Sequence, residues 1–143
     1  MNTLILDASV AAKWVLPHDD EPLTEQALVL LKRYSDDELR LLVPDLFWAE
    51  FGNILWKAVR QGRITAESAT AALDGMRARR FPTVSSLSLI TGACKIARSF
   101  GRSVYDGIYV ALAIEMDAEL VTADERLASA VAAWLPVKWL GAW

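Results

Sequence analysis

Short apolar runs alternate with helical stretches along this chain, and that alternation limits the folds it can adopt. The apolar runs lie at residues 3–6 (TLIL), 40–43 (RLLV), 118–123 (AELVTA) and 136–140 (PVKWL), with a shorter candidate at 83–85. The segments between them repeat apolar residues at intervals of three and four, which is typical of helices. Strands that are apolar throughout are buried on both faces. The pattern therefore predicts an α/β sandwich with a mainly parallel sheet.

Helices are expected at 9–16, from Pro22 as a first helical residue, at 45–61, 65–80, 88–101, 103–117 and 124–135. Proline favours the first turn of a helix, and glycine commonly follows the last, as Gly62 would here. A length of 143 residues allows one domain with its own core. With 54% hydrophobic and 23% charged residues, the composition is that of a globular protein.

The helix after the second run carries a carboxylate within its apolar face. Phe47, Phe51, Ile54 and Leu55 recur at the spacing of a buried stripe, and Glu50 lies three residues after Phe47. An uncompensated carboxylate in such surroundings costs on the order of several kcal/mol. Two partners are open at this point, a nearby Lys or Arg and a metal ion.

Three further carboxylates fall near the expected carboxyl edge of the sheet, where open parallel sheets bind ligands. Asp7 directly follows the first strand, Asp124 follows the run at 118–123, and Asp106 lies in the first turn of a helix. Each also has a structural explanation, since Asp7 and Asp124 can cap helices and Ser103 with Asp106 forms a Ser-x-x-Asp pattern. Capping cannot explain Glu50, which lies inside its helix.

Four converging carboxylates raise each other's pKa unless a cation compensates them. Mg²⁺ and Mn²⁺ prefer oxygen ligands and bind through carboxylates together with substrate phosphates. The chain has one cysteine and one histidine, so no Cys/His cluster suits zinc. The sequence therefore predicts a magnesium or manganese site formed by Asp7, Glu50, Asp106 and Asp124.

Four segments of the chain resemble the signature segments of a known family. They are LILDASV, PDLFWAEFGNIL, SVYDGIYVALA and ELVTADERL, and they extend from Asp7 to about Leu127. In this order and spacing they are similar to those of the PIN-domain ribonucleases, and more narrowly of the VapC-like toxins of toxin–antitoxin pairs. The resemblance implies a three-layer α/β/α sandwich in which residues 1–143 form a single PIN-like domain.

The resemblance also implies an activity, the metal-dependent endonucleolytic hydrolysis of RNA phosphodiesters. Asp7, Asp106 and Asp124 match the positions that hold Mg²⁺ or Mn²⁺ in the family, and Glu50 matches a ligand or the base for water. Ser9 and Thr122 match its small hydroxyl positions, which would orient carboxylates or waters.

The same resemblance implies partners. One is a cognate VapB-like antitoxin whose C-terminal segment blocks the acidic pocket, and another is a second copy of the chain in a homodimer. Without antitoxin, such a toxin would inhibit translation and growth. Arg98 and Arg102 are candidate contacts to RNA phosphates, and the group Lys57, Arg60 and Arg63 is either a solvated helix end or a phosphate-binding patch.

Two alternatives remain open at the level of sequence. One is a PIN fold retained only for binding, which predicts the loss of one or more of the four acids. The other is an aspartate-based phosphotransfer domain with Asp7 as phosphoacceptor, although the segment DAS lacks a second aspartate and Lys138 lies within the last strand. Metal-dependent RNA cleavage distinguishes the nuclease from both.

The expected location is the cytoplasm, without membrane contact. The N-terminal segment has no cationic start, and the longest apolar run, residues 108–114, is far too short to cross a bilayer. The formal net charge is −3, so nucleic acid binding would depend on local positive patches rather than on an overall field.

Overall fold

The computed structural model describes residues 1–143 and contains one five-stranded parallel sheet. The strands are β1 (Asn2–Leu6), β2 (Leu39–Pro44), β3 (Thr83–Val84), β4 (Glu119–Thr122) and β5 (Val137–Trp139), in the order β3-β2-β1-β4-β5. The central strand β1 pairs with β2 on one side and β4 on the other, so that Leu4 lies opposite both Leu41 and Glu119. The α/β class predicted from the apolar runs is confirmed.

Seven α-helices connect the strands. They are α1 (Ala8–Ala11), α2 (Thr24–Ser35), α3 (Leu46–Arg60), α4 (Ala66–Ala78), α5 (Ile90–Phe100), α6 (Val104–Glu115) and α7 (Glu125–Val131). The chain steps from β1 to β2 and β3 in one direction and then returns past β1 to β4 and β5. Because crossovers between parallel strands are right-handed, these opposite steps place helices on both faces of the sheet. The result is the expected α/β/α sandwich.

The first two helices differ from the sequence prediction. The helix expected at 9–16 is α-helical only over Ala8–Ala11 and continues as a tighter 3₁₀ turn over Ala12–Trp14. Pro22 does not begin the second helix, which starts at Thr24 after Leu23 with a left-handed φ of 61°. Glu21 is held inward by ion pairs to Lys13 and Arg63, and this tertiary anchor keeps its backbone extended. The prediction of Pro22 as a first helical residue is therefore wrong.

The remaining boundaries follow local chemistry. Gly62 and Gly101 adopt left-handed φ values of 72° and 65° directly after α3 and α5, where residues with a side chain would be strained. Thr65 caps α4 by accepting a hydrogen bond from the Ser68 N–H. None of the helices combines the length and the apolar character that crossing a bilayer requires.

The core lies on both faces of the sheet and fixes the two helices that carry Glu50 and Asp106. Phe47 and Phe51 of α3 are fully buried, and their rings stack with centroids 5.8 Å apart. Helix α6 is buried from Gly107 to Ala113 and packs closely against α5. A Cβ atom on Gly107 would lie 2.3 Å from the Ala93 carbonyl oxygen, so only glycine permits this approach.

Candidate active site

Asp7 and Asp124 lie at the same edge of the sheet because β1 and β4 are adjacent and parallel. Asp7 directly follows β1, and its backbone N–H donates to the Val121 carbonyl of β4 at 3.3 Å. The order of strands reverses at this point, since β2 lies on one side of β1 and β4 on the other. Open α/β sheets bind ligands beyond the carboxyl ends of their strands at such a reversal.

Ser9 and Thr122 connect the two strand ends. The buried Thr122 hydroxyl donates to Asp7 Oδ2 at 2.6 Å and accepts from the Asp124 N–H at 3.0 Å. Ser9 Oγ accepts from the Ala123 N–H at 3.2 Å, and the Ser9 N–H donates to Asp7 Oδ1 at 3.3 Å. These bonds fix the direction of the Asp7 carboxylate.

The capping explanations for the aspartates are correct and coexist with their shared position. Asp7 caps α1 through Ser9, and Asp124 caps α7 by accepting from the Leu127 N–H at 3.1 Å. Ser103 caps α6 by accepting from the Asp106 N–H at 3.0 Å. Each cap holds its carboxylate within one turn of a helix start, so capping and site geometry depend on the same local structure.

Glu50 is half-buried on α3 and forms no ion pair with any Lys or Arg. The alternative of a cationic side-chain partner for Glu50 is therefore wrong. Burial raises the pKa of Glu50, and the nearby Asp7 and Asp106 raise it further, while a hydrogen bond from Tyr109 opposes the rise. Glu50 thus faces other carboxylates and a tyrosine hydroxyl.

Asp7 experiences the same conflict. Burial raises its pKa above the ordinary value, the hydrogen bonds from Thr122 and Ser9 oppose that shift, and the charge of Asp106 adds to it. Like charges at close range and loss of hydration both disfavour the ionised form. The charge of Asp106 therefore raises the pKa of both Asp7 and Glu50, although the three residues come from different elements.

Arg102 is the only cation that forms an ion pair with any of the four acids, and it pairs with two of them. Its Nη2 and Nε atoms lie 3.1 and 3.2 Å from Asp106 Oδ2, and Nη2 lies 3.7 Å from Asp124 Oδ2. The guanidinium predicted as an RNA contact is thus directed at two carboxylates. Arg98, the other predicted contact, is exposed on α5 and forms no ion pair.

Tyr109 is a site residue that the sequence interpretation missed. Its buried hydroxyl accepts from the Ala8 N–H at 3.4 Å and interacts with Glu50. Burial, followed by the charges of Asp7 and Glu50, raises the pKa of Tyr109 far above its ordinary value, so the hydroxyl stays protonated. Its spacing in the sequence could have identified Tyr109 as a site residue, because it follows Asp106 by three residues and shares its helix face.

The chemistry of these donors fits a hard divalent cation. All four acids offer oxygen atoms, and neither Asp7 nor Glu50 has a cationic partner. In the present side-chain arrangement, however, no three Asp, Glu, His or Cys side chains form a group that could hold a metal ion. Arg102 holds Asp106 and Asp124, so these two are engaged with a guanidinium rather than with Asp7 and Glu50.

Comparison with known sequences identifies relatives that span this site. Residues 4–132 match the family model described as PIN domain. Ribonuclease VapC3 from Pyrobaculum aerophilum is 31% identical over 127 residues, which cover 87% of this chain and 92% of that protein. The residues matched by the family model, 4–132, include all four acids and both hydroxyl positions.

Solved structures share the fold at lower sequence identity. The protein PAE2754 from Pyrobaculum aerophilum superposes with a TM-score of 0.67 at 22% identity, covering 99% of this chain and 85% of that one. VapBC2 from Rickettsia felis, bound to a DNA fragment from its promoter, superposes with a TM-score of 0.62 at 14% identity, covering 96% and 98%. At these identities the likeness shows the fold alone.

Proposed function

The chain belongs to the PIN-domain family, and on that premise we propose that it is a Mg²⁺- or Mn²⁺-dependent endoribonuclease that hydrolyses RNA phosphodiesters. The observation that carries this proposal is that Asp7 and Asp124 follow adjacent parallel strands and are joined through the Thr122 hydroxyl, while Asp7 and the half-buried Glu50 have no cationic partner. Such an arrangement is unfavourable by itself and becomes favourable with a bound cation.

The four acids would have two different parts in the proposed reaction. Asp7, Asp106 and Asp124 would hold the cation, with Arg102 released from the last two. When bound, a divalent cation supplies Lewis acidity, which polarises the phosphate and acidifies an attacking water. Glu50 would accept the proton of that water, since its carboxylate is half-buried at the site and has no cationic partner of its own.

The neighbouring side chains would position these acids. The Tyr109 hydroxyl interacts with Glu50 and limits the directions in which its carboxylate can point. Thr122 and Ser9 direct the Asp7 carboxylate through the 2.6 and 3.3 Å hydrogen bonds already described. No protein nucleophile is required, because water attacks the phosphorus.

We further propose that the protein is the toxin of a toxin–antitoxin pair, with an antitoxin protein as its inhibitor and a homodimer as its assembled state. The support is the likeness to VapC ribonucleases and to a VapBC structure. Expression of the chain alone should arrest growth by inhibiting translation, and Glu50→Gln should relieve the arrest. Light scattering of the purified protein measures whether it is a dimer.

The decisive experiment incubates purified protein with a mixed pool of single-stranded and structured RNAs in Mg²⁺, Mn²⁺ or EDTA. Asp7→Asn and Glu50→Gln remove one site carboxylate each. Asp74→Asn and Glu67→Gln are matched controls, because both residues are exposed on α4 and form no ion pair. We expect metal-dependent cleavage that is lost in the two site variants and retained in the two controls.

One observation favours a second candidate, a PIN fold used only for binding. No three acids converge on a metal-sized site, and Arg102 neutralises part of the acidic charge. A folded protein that binds RNA but cleaves none of it in either metal would support this alternative. Cleavage that persists in both Asp7→Asn and Glu50→Gln would instead reject the assignment of the site.

A further inference from the structure

A cleft lined with positive charge opens beside the four acids and has no part in the proposed reaction. It is a cavity of about 360 Å³ that reaches Ser9 and Asp124 of the acidic site. Its other charged lining residues are Lys13, Glu21, Lys57 and Arg63. An adjoining cavity of about 390 Å³ is lined by Lys57, Arg60 and Gln61. We call the two together the basic cleft.

The inner wall of the basic cleft is a nearly buried ion network. Lys13 is only 5% exposed, and its Nζ lies 3.2 Å from Glu21 Oε2. Arg63 Nη2 lies 2.8 Å from Glu21 Oε1. Burial opposes ionisation of Glu21, but the hydrogen bonds from Arg63 and Lys13 outweigh it and lower the pKa of that carboxylate. Glu21 is therefore ionised and serves as the shared acceptor of both side chains.

This network leaves a net positive charge with unused donors. Two cations share one carboxylate, and each donates a single hydrogen bond to it. An ammonium has three N–H donors and a guanidinium has five, so most of these donors have no acceptor within the protein. Buried or half-buried cationic donors without acceptors favour an anionic ligand with several oxygen atoms.

The outer wall is formed by α3. Lys57 and Arg60 lie in the last turn of this helix, where cations complement the helix dipole. The dipole accounts for those two residues but not for Lys13 and Arg63, which come from other segments and line the same cavity. Lys57 is exposed and forms no ion pair, so its ammonium is available to a ligand.

We propose that the basic cleft holds backbone phosphates of a single-stranded RNA next to the phosphate that is cleaved. This inference rests on the proposed function and assigns part of its substrate-binding surface. A phosphate backbone supplies the oxygen acceptors that Lys13, Lys57 and Arg63 lack. The cavity is concave and of a size that admits one strand, whereas a duplex presents a broad convex surface.

The test measures RNA binding as a function of salt concentration. A short fluorescein-labelled single-stranded RNA of mixed sequence is titrated with protein in Mg²⁺, and fluorescence anisotropy gives Kd across a KCl series. The Glu50→Gln background prevents cleavage during the titration. Lys57→Ala and Lys57→Glu alter the basic cleft at an exposed position. Lys95→Ala is the matched control, because Lys95 is an exposed lysine of α5 that lines neither cavity and forms no ion pair.

Each phosphate contact to a single strand contributes about 0.7 to the slope of log K against log salt concentration. We expect Lys57→Ala to reduce that slope by about 0.7 and Lys57→Glu to reduce it further, with no change in Lys95→Ala. With Glu50 intact, Lys57→Ala should raise KM for RNA cleavage far more than it lowers kcat. A purely structural role for Lys57 would leave the salt slope unchanged.

The outcomes separate this inference from the proposed function. If the protein cleaves RNA but the Lys57 variants change neither the salt slope nor KM, the basic cleft is not an RNA site. That result would leave the proposed nuclease function intact. If RNA binding depends on Lys57 but no RNA is cleaved, the basic cleft is supported as an RNA site. The proposed hydrolysis of RNA would then be rejected. Unchanged RNA binding combined with weaker capture of an acidic antitoxin segment would assign the cleft to a protein partner and overturn the proposal.

Discussion

Replacing Gly107 with alanine should separate α5 from α6 and disturb the acidic site through Asp106. The added Cβ atom would lie 2.3 Å from the Ala93 carbonyl oxygen, 2.9 Å from its carbonyl carbon and 3.1 Å from its Cα. These are backbone atoms of α5 at its buried residue Ala93, so no rotation of a side chain can relieve the contact. The two helices would have to separate by about 1 Å to reach ordinary van der Waals distances.

The magnitude follows from this geometry. Overpacking of a well-packed core destabilises by about 1–3 kcal/mol, and a clash with fixed backbone belongs at the upper end of that range. The better helix propensity of alanine offsets about 1 kcal/mol. We therefore expect the free energy of unfolding to fall by about 2 kcal/mol. At about 4 °C per kcal/mol for a chain of this size, this lowers Tm by roughly 8 °C.

The same displacement should strongly reduce the rate of RNA cleavage, in addition to lowering the stability of the fold. Asp106 precedes Gly107 on α6, and its pairing with Arg102 depends on the position of that helix. A displacement of a catalytic group by about 1 Å can reduce the rate on the order of 100-fold. Thermal melts monitored by circular dichroism and cleavage assays on the folded variant, well below its Tm, measure the two effects separately.

Gly75→Ala is the matched control, because Gly75 lies in α4 and an added Cβ meets nothing within 4 Å. We expect it to raise stability by up to about 1 kcal/mol and to leave cleavage unchanged. If Gly107→Ala melted at or above the wild-type temperature with full activity, the reasoning from the α5–α6 approach would be refuted.

Three further predictions concern the charges at the site. First, burial raises the pKa values of Asp7 and Glu50 in the metal-free folded state, which therefore binds more protons than the unfolded state. The free energy of unfolding should fall as pH rises from the unfolded-state pKa values through the folded-state ones. Urea melts in EDTA should show a smaller fall for Glu50→Gln than for the wild type. Second, Tyr109→Phe leaves the Ala8 N–H without its acceptor and should lower the free energy of unfolding by about 1–3 kcal/mol, while cleavage decreases as Glu50 loses its partner. Unchanged melts and rates would contradict this role. Third, Arg102→Ala removes the guanidinium that competes for Asp106 and should tighten Mn²⁺ binding in calorimetric titration, and an equal or weaker affinity would count against competition.

The sheet and the positions of the acids were predictable because their signals are local. Apolar runs defined the strands, and the position of Glu50 within an apolar helical stripe identified it as a residue that needed a partner. Asp7 and Asp124 were found through the rule that parallel strands end at a common edge. None of these inferences required knowledge of which distant residues meet.

The pairing of Arg102 with Asp106, four residues later, is local, but the other contacts that were missed depend on tertiary structure. Arg102 was expected to face RNA, yet its distance to Asp124 depends on how the turn between α5 and α6 is placed relative to the start of α7. The network of Lys13, Glu21 and Arg63 joins residues 42 positions apart and also displaced the start of α2 from Pro22. Helical periodicity carries no information about such pairs.

The bond between Thr122 and Asp7 joins residues 115 positions apart, and this separation has a consequence for synthesis of the chain on the ribosome. The ribosome makes the central strand β1 before α3 and α6, and it makes the neighbouring strand β4 and Asp124 after them. A nascent chain therefore carries Asp7, Glu50 and Asp106 without the strand that orients them. On the proposed function, the ribosome that makes this protein meets no assembled nuclease site until β4 has been made and has paired with β1.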